Sequence, residues 1–364
     1  MKSKTMKLLC VTLAVLMLAF AVAGCGKSAT TDTGESTKPA AQETPKTEPS
    51  KTDGSKAPAA SDSGEKKLMF GLIAHDRAIE WVNYGCINFE YACQQKGITP
   101  VIADAQNNME KVLSGMEDLI AKKVDAVSVY SFSPDLDKRV AQMARSAGIP
   151  IVFENAVPAD DVDYDSVTVC KYYDIGYAAG KFVSEKYPNS KLVYIMGQPG
   201  MNITEPYMEG LKKALADNGS IVELVESQPT NWTAEQALNV TQNVIQSGKK
   251  FDVIFANNEQ IAQGVISALK DAGLHGKVPI LATGGSTLGI DMIKKGDLTA
   301  TLSAPVSFQG MMSVKKLLTL LNGGTVEKLT PVPIIPITKD NLDDVIPWDP
   351  GDKVIEAIGG LDVK

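Results

Sequence analysis

Residues 126–155 read AVSVYSFSPDLDKRVAQMARSAGIPIVFEN, and this stretch decides the fold. Ala126 to Tyr130 is a short apolar run of strand length. A helix follows from Pro134 to Ala147 and stops at Gly148, and Pro150 to Phe153 is a second apolar strand. Strands apolar on both faces, alternating with amphipathic helices, build parallel sheets covered by helices on each side.

The same unit repeats in both directions. Upstream, a strand at Leu68–Ala74 leads to a helix near Trp81–Lys96, a strand at Pro100–Ala105 and a helix near Met109–Lys122. Downstream, a fifth strand at Ser166–Val169 closes the first series. The alternation then restarts, with helices near Ile175–Tyr187, Glu205–Asn218, Ala234–Ser247, Ile261–Ala272, Leu288–Lys295 and Ser307–Asn322. Strands are predicted between and after them at Leu192–Met196, Ile221–Val225, Val253–Ala256, Pro279–Ala282, Leu298–Leu302 and Val332–Ile337. About a dozen strands exceed one ordinary sheet. A closed β/α barrel usually carries eight strands in one unbroken series, so the restart favours two doubly wound lobes.

In open α/β sheets ligands sit beyond the carboxyl ends of the strands. The residues at those places are His75-Asp76-Arg77, Gln106 to Asn108, Tyr130-Ser131, Glu154-Asn155, Gln198 to Met201, Asn231-Trp232, Asn257 to Glu259 and Gly284-Gly285. Two lobes facing each other through such edges would enclose a polar, aromatic-walled cleft. That cleft suits a ligand with hydroxyl groups and an apolar face.

The amino terminus sets the compartment. Lys2, Lys4 and Lys7 precede an apolar stretch from Leu8 to Val22, which is signal-peptide length and short of a comfortable membrane span. It ends in Val22-Ala23-Gly24-Cys25, a string that resembles a bacterial lipobox with Cys25 as the lipidated residue. Residues 26–67 lack every large apolar residue and cannot offset their ordering entropy. They read as a tether with a reach of roughly 35–40 Å. The net charge of −7 argues against nucleic acid. Of the five cysteines, Cys86, Cys93 and Cys170 remain in the folded part. Cys86 and Cys93 would lie about 10 Å apart on one helix, too far for a disulfide, so core thiols are expected.

Four segments, in order, resemble the sugar-binding, ribose-binding-protein-like branch of the type I periplasmic binding proteins. They are Asp104-Ala105-Gln106-Asn107-Asn108, Ala147 to Val152, Gln228-Pro229 to Trp232, and Phe255-Ala256-Asn257-Asn258-Glu259. The resemblance implies two lobes joined by a three-strand hinge. It places a signal peptide at 1–24, lipidated Cys25 and linker at 25–67, one lobe at 68–170 plus 305–330, and the other at 171–304 plus 331–364. It further implies an extracytoplasmic, lipid-anchored, monomeric capture subunit with no cofactor, no metal and no catalysis, working with an ABC permease on a small sugar-like ligand. Ligand contacts are expected at Trp232, Asn258, Glu154, Asn155, Tyr130, Tyr207, His75, Asp76 and Trp81.

The sequence also departs from that pattern. Ala78 and Ile79 stand near the family's aromatic pair, with Trp81 close by. Its Asp-Arg pair becomes Glu154-Asn155, and a second arginine becomes Tyr207. Its aspartate after the strand at Ala282 becomes Gly284, and the hinge glutamine falls near Ala304. Ribose itself is therefore not expected; another sugar, a polyol, a nucleoside-like molecule or a signalling furanose fits.

Blander readings stand beside these. Asn258 can cap a helix, Trp232 can be a packing aromatic, and Glu154 can pair with Lys171 or Arg77. Asp76, His75, Tyr130 and Tyr207 can be ordinary loop or packing groups. Asp161, Asp163 and Asp165 have calcium-loop spacing, but Ser166 and Tyr172 stand where the loop needs glycine and glutamate. Gly24 to Ser28 lacks the first glycine of a P-loop. Rival functions are a ligand-presenting sensor and a lipid-anchored hydrolase. For the second, no Gly-x-Ser-x-Gly or His-Glu-x-x-His occurs, and only His75 and His275 exist.

Overall fold

A computed structural model describes residues 67–200, 203–219 and 222–363. The expected signal peptide, Cys25 and the linker lie outside the described residues, as do Met201 and Ile221. Among the described residues no helix is long and apolar enough to cross a membrane.

In the first half, β1 (Met69–Ala74), α1 (Glu80–Gln95), β2 (Thr99–Asp104), α2 (Met109–Ala121), β3 (Ala126–Tyr130), α3 (Pro134–Ser146), β4 (Ile151–Asn155) and β5 (Ser166–Val169) alternate as expected. The second half runs α4 (Tyr172–Lys186), β6 (Lys191–Met196), α5 (Thr204–Asp217), β7 (Glu223–Pro229), α6 (Ala234–Gln246) and β8 (Val253–Ala256). It continues with α7 (Glu259–Asp271), β9 (Ile280–Gly284), α8 (Thr287–Lys295), β10 (Ala300–Ser303), α9 (Val306–Leu321), β11 (Leu329–Pro331), β12 (Ile335–Thr338) and α10 (Asp352–Ala357).

The strands form two six-stranded sheets, ordered β2-β1-β3-β4-β5-β11 and β7-β6-β8-β9-β10-β12. All pairings are parallel except β10 with β12. Leaving out the last strand of each, the two sheets have the same winding. Each reverses direction between its first strand in sequence and its third, β1/β3 and β6/β8, which is where the doubly wound architecture places ligands. Strand interiors are apolar and fully covered: Val127, Val129, Ile151 and Phe153 in one sheet, Val193, Ile195, Ile254 and Ala256 in the other.

The chain passes between the sheets three times, from β5 to α4, from β10 to α9, and from β11 to β12. The last passage corrects the single strand predicted at Val332–Ile337. Only its carboxyl half is strand, within β12 of the second sheet; β11 of the first sheet ends at Pro331, just before it, and Pro333, which cannot donate to a ladder, lies in the gap. The carboxyl-terminal segment, expected with the second lobe, comes back to the first: α10 packs on α9, and Lys315 Nζ donates to the Ile358 carbonyl at 2.6 Å. Cys86, Cys93 and Cys170 are free, buried thiols, as expected of core residues.

Candidate functional site

Five expected contacts gather at the carboxyl edge of the first sheet. His75 follows β1 and stacks on Phe132, with centroids 5.0 Å apart, while Tyr130 stands edge-on to it at 5.7 Å. Burial holds the His75 imidazole below its ordinary pKa, which favours the neutral ring. Asp76 accepts from the Ala78 amide at 2.9 Å and shapes the loop.

Glu154 ends β4 and is only 2% exposed. Ser128 Oγ donates to its Oε1 at 2.6 Å, and Gln309 Nε2 approaches its Oε2 at 3.3 Å. Burial pushes its carboxyl pKa up; the same burial, at Lys316 nearby, pulls that ammonium down to about 7. The ion pairs considered from sequence do not form: Arg77 pairs with Glu90 and Lys171 with Asp174. Asn155 has a left-handed backbone, φ 76°, which asparagine tolerates better than most residues. Its side chain accepts from the Tyr172 hydroxyl at 2.7 Å, and its amide donates to Gln309 Oε1 at 3.1 Å. A cavity of about 10 Å³, the size of one water, lies among Tyr130, Glu154, Gln309 and Cys86.

Tyr172 begins α4 and carries this cluster across the hinge. Its ring lies 5.6 Å from that of Tyr207 on α5, whose hydroxyl is 3.2 Å from Thr283 Oγ1 in the second lobe. Thr283 donates to the Asn257 carbonyl at 2.6 Å, and Asn257 Oδ1 accepts from Tyr194 at 2.8 Å. Tyr207 is thus a buried link within this chain of contacts, its hydroxyl held protonated by burial.

Trp232 and Asn258 stand on the second-lobe edge. Trp232 has φ 67° and lies over Gly197; a Cβ there would meet its Cη2 at 2.2 Å. Asn258 caps α7, its Oδ1 accepting from the Ile261 amide at 2.8 Å, which uses only the carbonyl oxygen. Glu259 beside it is fully enclosed. Its Oε1 accepts from Gly285 N and Thr301 Oγ1, both at 2.6 Å, and burial raises its pKa to about 7. Gln260 Nε2 reaches Glu80 Oε2 at 3.1 Å, so α7 touches the start of α1 across the gap. Trp81, one residue further along α1, stands edge-on to Trp348 at 5.3 Å.

Four buried side-chain atoms in this region have no partner among the described residues: His75 Nδ1, Trp81 Nε1, Asn257 Nδ2 and Ser303 Oγ. Three of them follow or end a strand, β1, β8 and β10, and the fourth opens α1. A buried polar group left unpaired costs about 1–3 kcal/mol.

The calcium-like spacing has a different use. Arg145 holds both Asp163 and Asp165, and Lys138 binds Asp161. Several participants were hidden in the sequence. Gln309, on α9, bonds Glu154 and the Asn155 amide, while Ala304 stands where the family pattern has its hinge glutamine. Tyr172, Phe132 and Trp348 carry no local motif.

Residues 70–325 match the model of the periplasmic binding protein domain. The chain is 26% identical over 283 residues to the fructose import binding protein of Bifidobacterium longum, covering 75% of this chain and 85% of that one. It is 24% identical over 246 residues to the ribose import binding protein of Bacillus subtilis, covering 67% and 79%. A solute-binding protein of an ABC transporter from Actinobacillus succinogenes, solved with D-allose, superposes with a TM-score of 0.68 at 26% identity, over 77% of this chain and 100% of that one. A Bacillus halodurans solute-binding protein holding myo-inositol shares the fold, with a TM-score of 0.68 at 22% identity over 78% and 98%. By its two same-wound lobes, its three crossings and this match, the chain belongs to the periplasmic binding protein family in its type I form.

Proposed function

We propose that this chain is the extracytoplasmic solute-binding subunit of an ABC importer, held at the membrane by a lipid on Cys25, and that it captures an uncharged sugar or cyclic polyol. Residues 68–170 with 305–331 form one jaw and 171–304 with 332–345 the other. The observation that carries this reading is the set of unpartnered polar atoms, His75 Nδ1, Trp81 Nε1, Asn257 Nδ2 and Ser303 Oγ, among aromatic rings at the facing strand ends. Trp232, Trp81 and Tyr130 would cover the apolar face of a ring, and Asn258, Asp76 and His75 would meet hydroxyls. Glu154, Asn155 and Tyr207, already bonded to protein groups, would brace the site from behind.

Charge narrows the class. Arg77 is engaged by Asn83 and Glu90, and the two arginines of the family pattern are absent. Among the described residues at the strand ends no guanidinium is therefore free to pair with a phosphate or a carboxylate, which favours neutral ligands over sugar phosphates and sugar acids. Ligand would touch both jaws only when they approach, and so shift the population toward closure. The ligand leaves unchanged.

The test is a thermal-shift screen of the full chain with pentoses, hexoses, inositols, nucleosides and sugar phosphates. At a hundredfold excess over Kd a ligand stabilises by about 2.7 kcal/mol. A neutral sugar or polyol should raise Tm, and Trp232→Ala should abolish the rise. No shift with any neutral sugar or polyol, or a shift confined to phosphates, defeats the proposal.

A further inference from the structure

After β12 the chain leaves the second sheet and returns to the first lobe, making a fourth passage through the region between the jaws. Trp348 lies on this passage and is 6% exposed. Its carbonyl accepts from Asn88 Nδ2 on α1 at 2.7 Å, and the Pro347 carbonyl accepts from Ser307 Oγ on α9. The backbone is thereby pinned to the first lobe. The indole reaches the other way: its Nε1 donates to the Gly284 carbonyl at the end of β9, at 3.0 Å. Asp349 Oδ2 adds a contact in the same direction, accepting from Thr287 Oγ1 on α8 at 3.3 Å.

The acceptor is well fixed. Gly284 has φ 134°, and a Cβ at that position would lie 2.0 Å from the Glu259 carboxylate. The ring is equally constrained on the first-lobe side, edge-on to Trp81 at 5.3 Å and 88° and to Tyr84 at 5.6 Å and 67°. One side chain thus joins the strand end of one jaw to the opening helix of the other.

We propose that Trp348 is a latch between the two lobes and the positioning residue for Trp81. Its N–H biases the ligand-free protein toward approached jaws, and its ring sets the angle of the Trp81 indole. The second role bears on ligand binding only if the sugar-cleft reading holds; the first is independent of it. A net hydrogen bond of ordinary strength shifts an equilibrium by roughly 2- to 12-fold. The apparent affinity for a ligand that needs approached jaws falls by up to the same factor, because the competent fraction falls.

Trp348→Phe and Trp348→Ala separate the two roles. Phenylalanine keeps a ring against Trp81 and Tyr84 but has no N–H for Gly284; alanine removes both. Small-angle scattering of the full chain without ligand should give a larger radius of gyration for both variants. In a Trp232→Phe background Trp81 becomes the sole tryptophan of either variant. Its emission should stay blue with phenylalanine and move to the red with alanine. Dissociation constants for the sugars found in the screen should weaken about 2- to 12-fold with phenylalanine and further with alanine. A wild-type radius of gyration in Trp348→Phe overturns the latch, and an unmoved Trp81 emission in Trp348→Ala overturns the positioning role. If the alanine variant fails to fold, the phenylalanine variant still decides the latch, and Trp348→Leu replaces alanine in the emission measurement. A wild type that binds no sugar defeats the functional proposal alone, since scattering and emission need no ligand.

Discussion

Replacing Glu259 by glutamine should remove a measurable pH dependence of stability. The carboxylate is sealed beneath the second-lobe edge, with Thr301 Oγ1, Gly285 N and Ser286 as its polar neighbours and no cation paired to it among the described residues. Burial raises its pKa from 4.5 to about 7 in the fold. Between those values the folded chain keeps a proton that the unfolded chain has released. The associated stability is full below pH 4.5 and is lost as pH rises through 7. At about 1.36 kcal/mol per pH unit, the 2.5-unit window (7 − 4.5) corresponds to a fall of about 3 kcal/mol. Urea unfolding of wild type and Glu259→Gln from pH 4.5 to 8 measures it. The wild-type minus variant difference should decline by about that amount and then level off. Glutamine keeps an acceptor for Gly285 and Thr301, so a constant offset is expected as well; only the slope tests the argument. A difference that stays flat across the range means Glu259 is ionised throughout, and the burial argument fails.

Two further substitutions test close contacts. A Cβ on Gly210 would sit 2.0 Å from the Tyr173 carbonyl where α5 meets α4, so Gly210→Ala should lower stability by about 1–3 kcal/mol despite alanine's better helix propensity; an unchanged or higher urea midpoint refutes it. Gly197→Ala should push the Trp232 ring from its place and remove the ligand-induced Tm rise, as Trp232→Ala does. A full rise in Gly197→Ala alongside a displaced Trp232 emission would take that ring out of the binding wall.

The doubly wound lobes were legible because they rest on periodicity. Segments such as Ala126–Tyr130 and Val253–Ala256 are apolar throughout and bounded by helices with clear stops, so their place in a parallel sheet follows from chemistry. The passage around Val332–Ile337 was not legible. A three-residue strand such as β11 has no periodicity to read, and nothing local says which sheet it or β12 will join. The site was half visible for a similar reason. Rules about strand ends point to His75, Glu154 and Trp232, but they do not say which side chains face outward. Glu154 and Tyr207 turned out to be bonded inward, a fact that depends on Ser128, Gln309 and Thr283 from distant elements. Gln309 and Trp348 reach the region from α9 and the carboxyl-terminal segment, where sequence adjacency gives no warning.

The interleaving of the chain has a consequence for how the molecule assembles. A polypeptide that emerges amino end first can complete most of the second sheet from one continuous stretch, β6 to β10, needing only β12 to finish. The first sheet is different: its edge strand β11 and its covering helix α9 come from residues 306–331, after nearly the whole second lobe. Until those residues arrive, the faces of β4 and α1 that α9 covers stay bare. The earlier-made half therefore matures last, and a nascent chain stopped short of residue 306 would keep an unfinished, adhesive surface that suits passage in an unfolded state or custody by a chaperone.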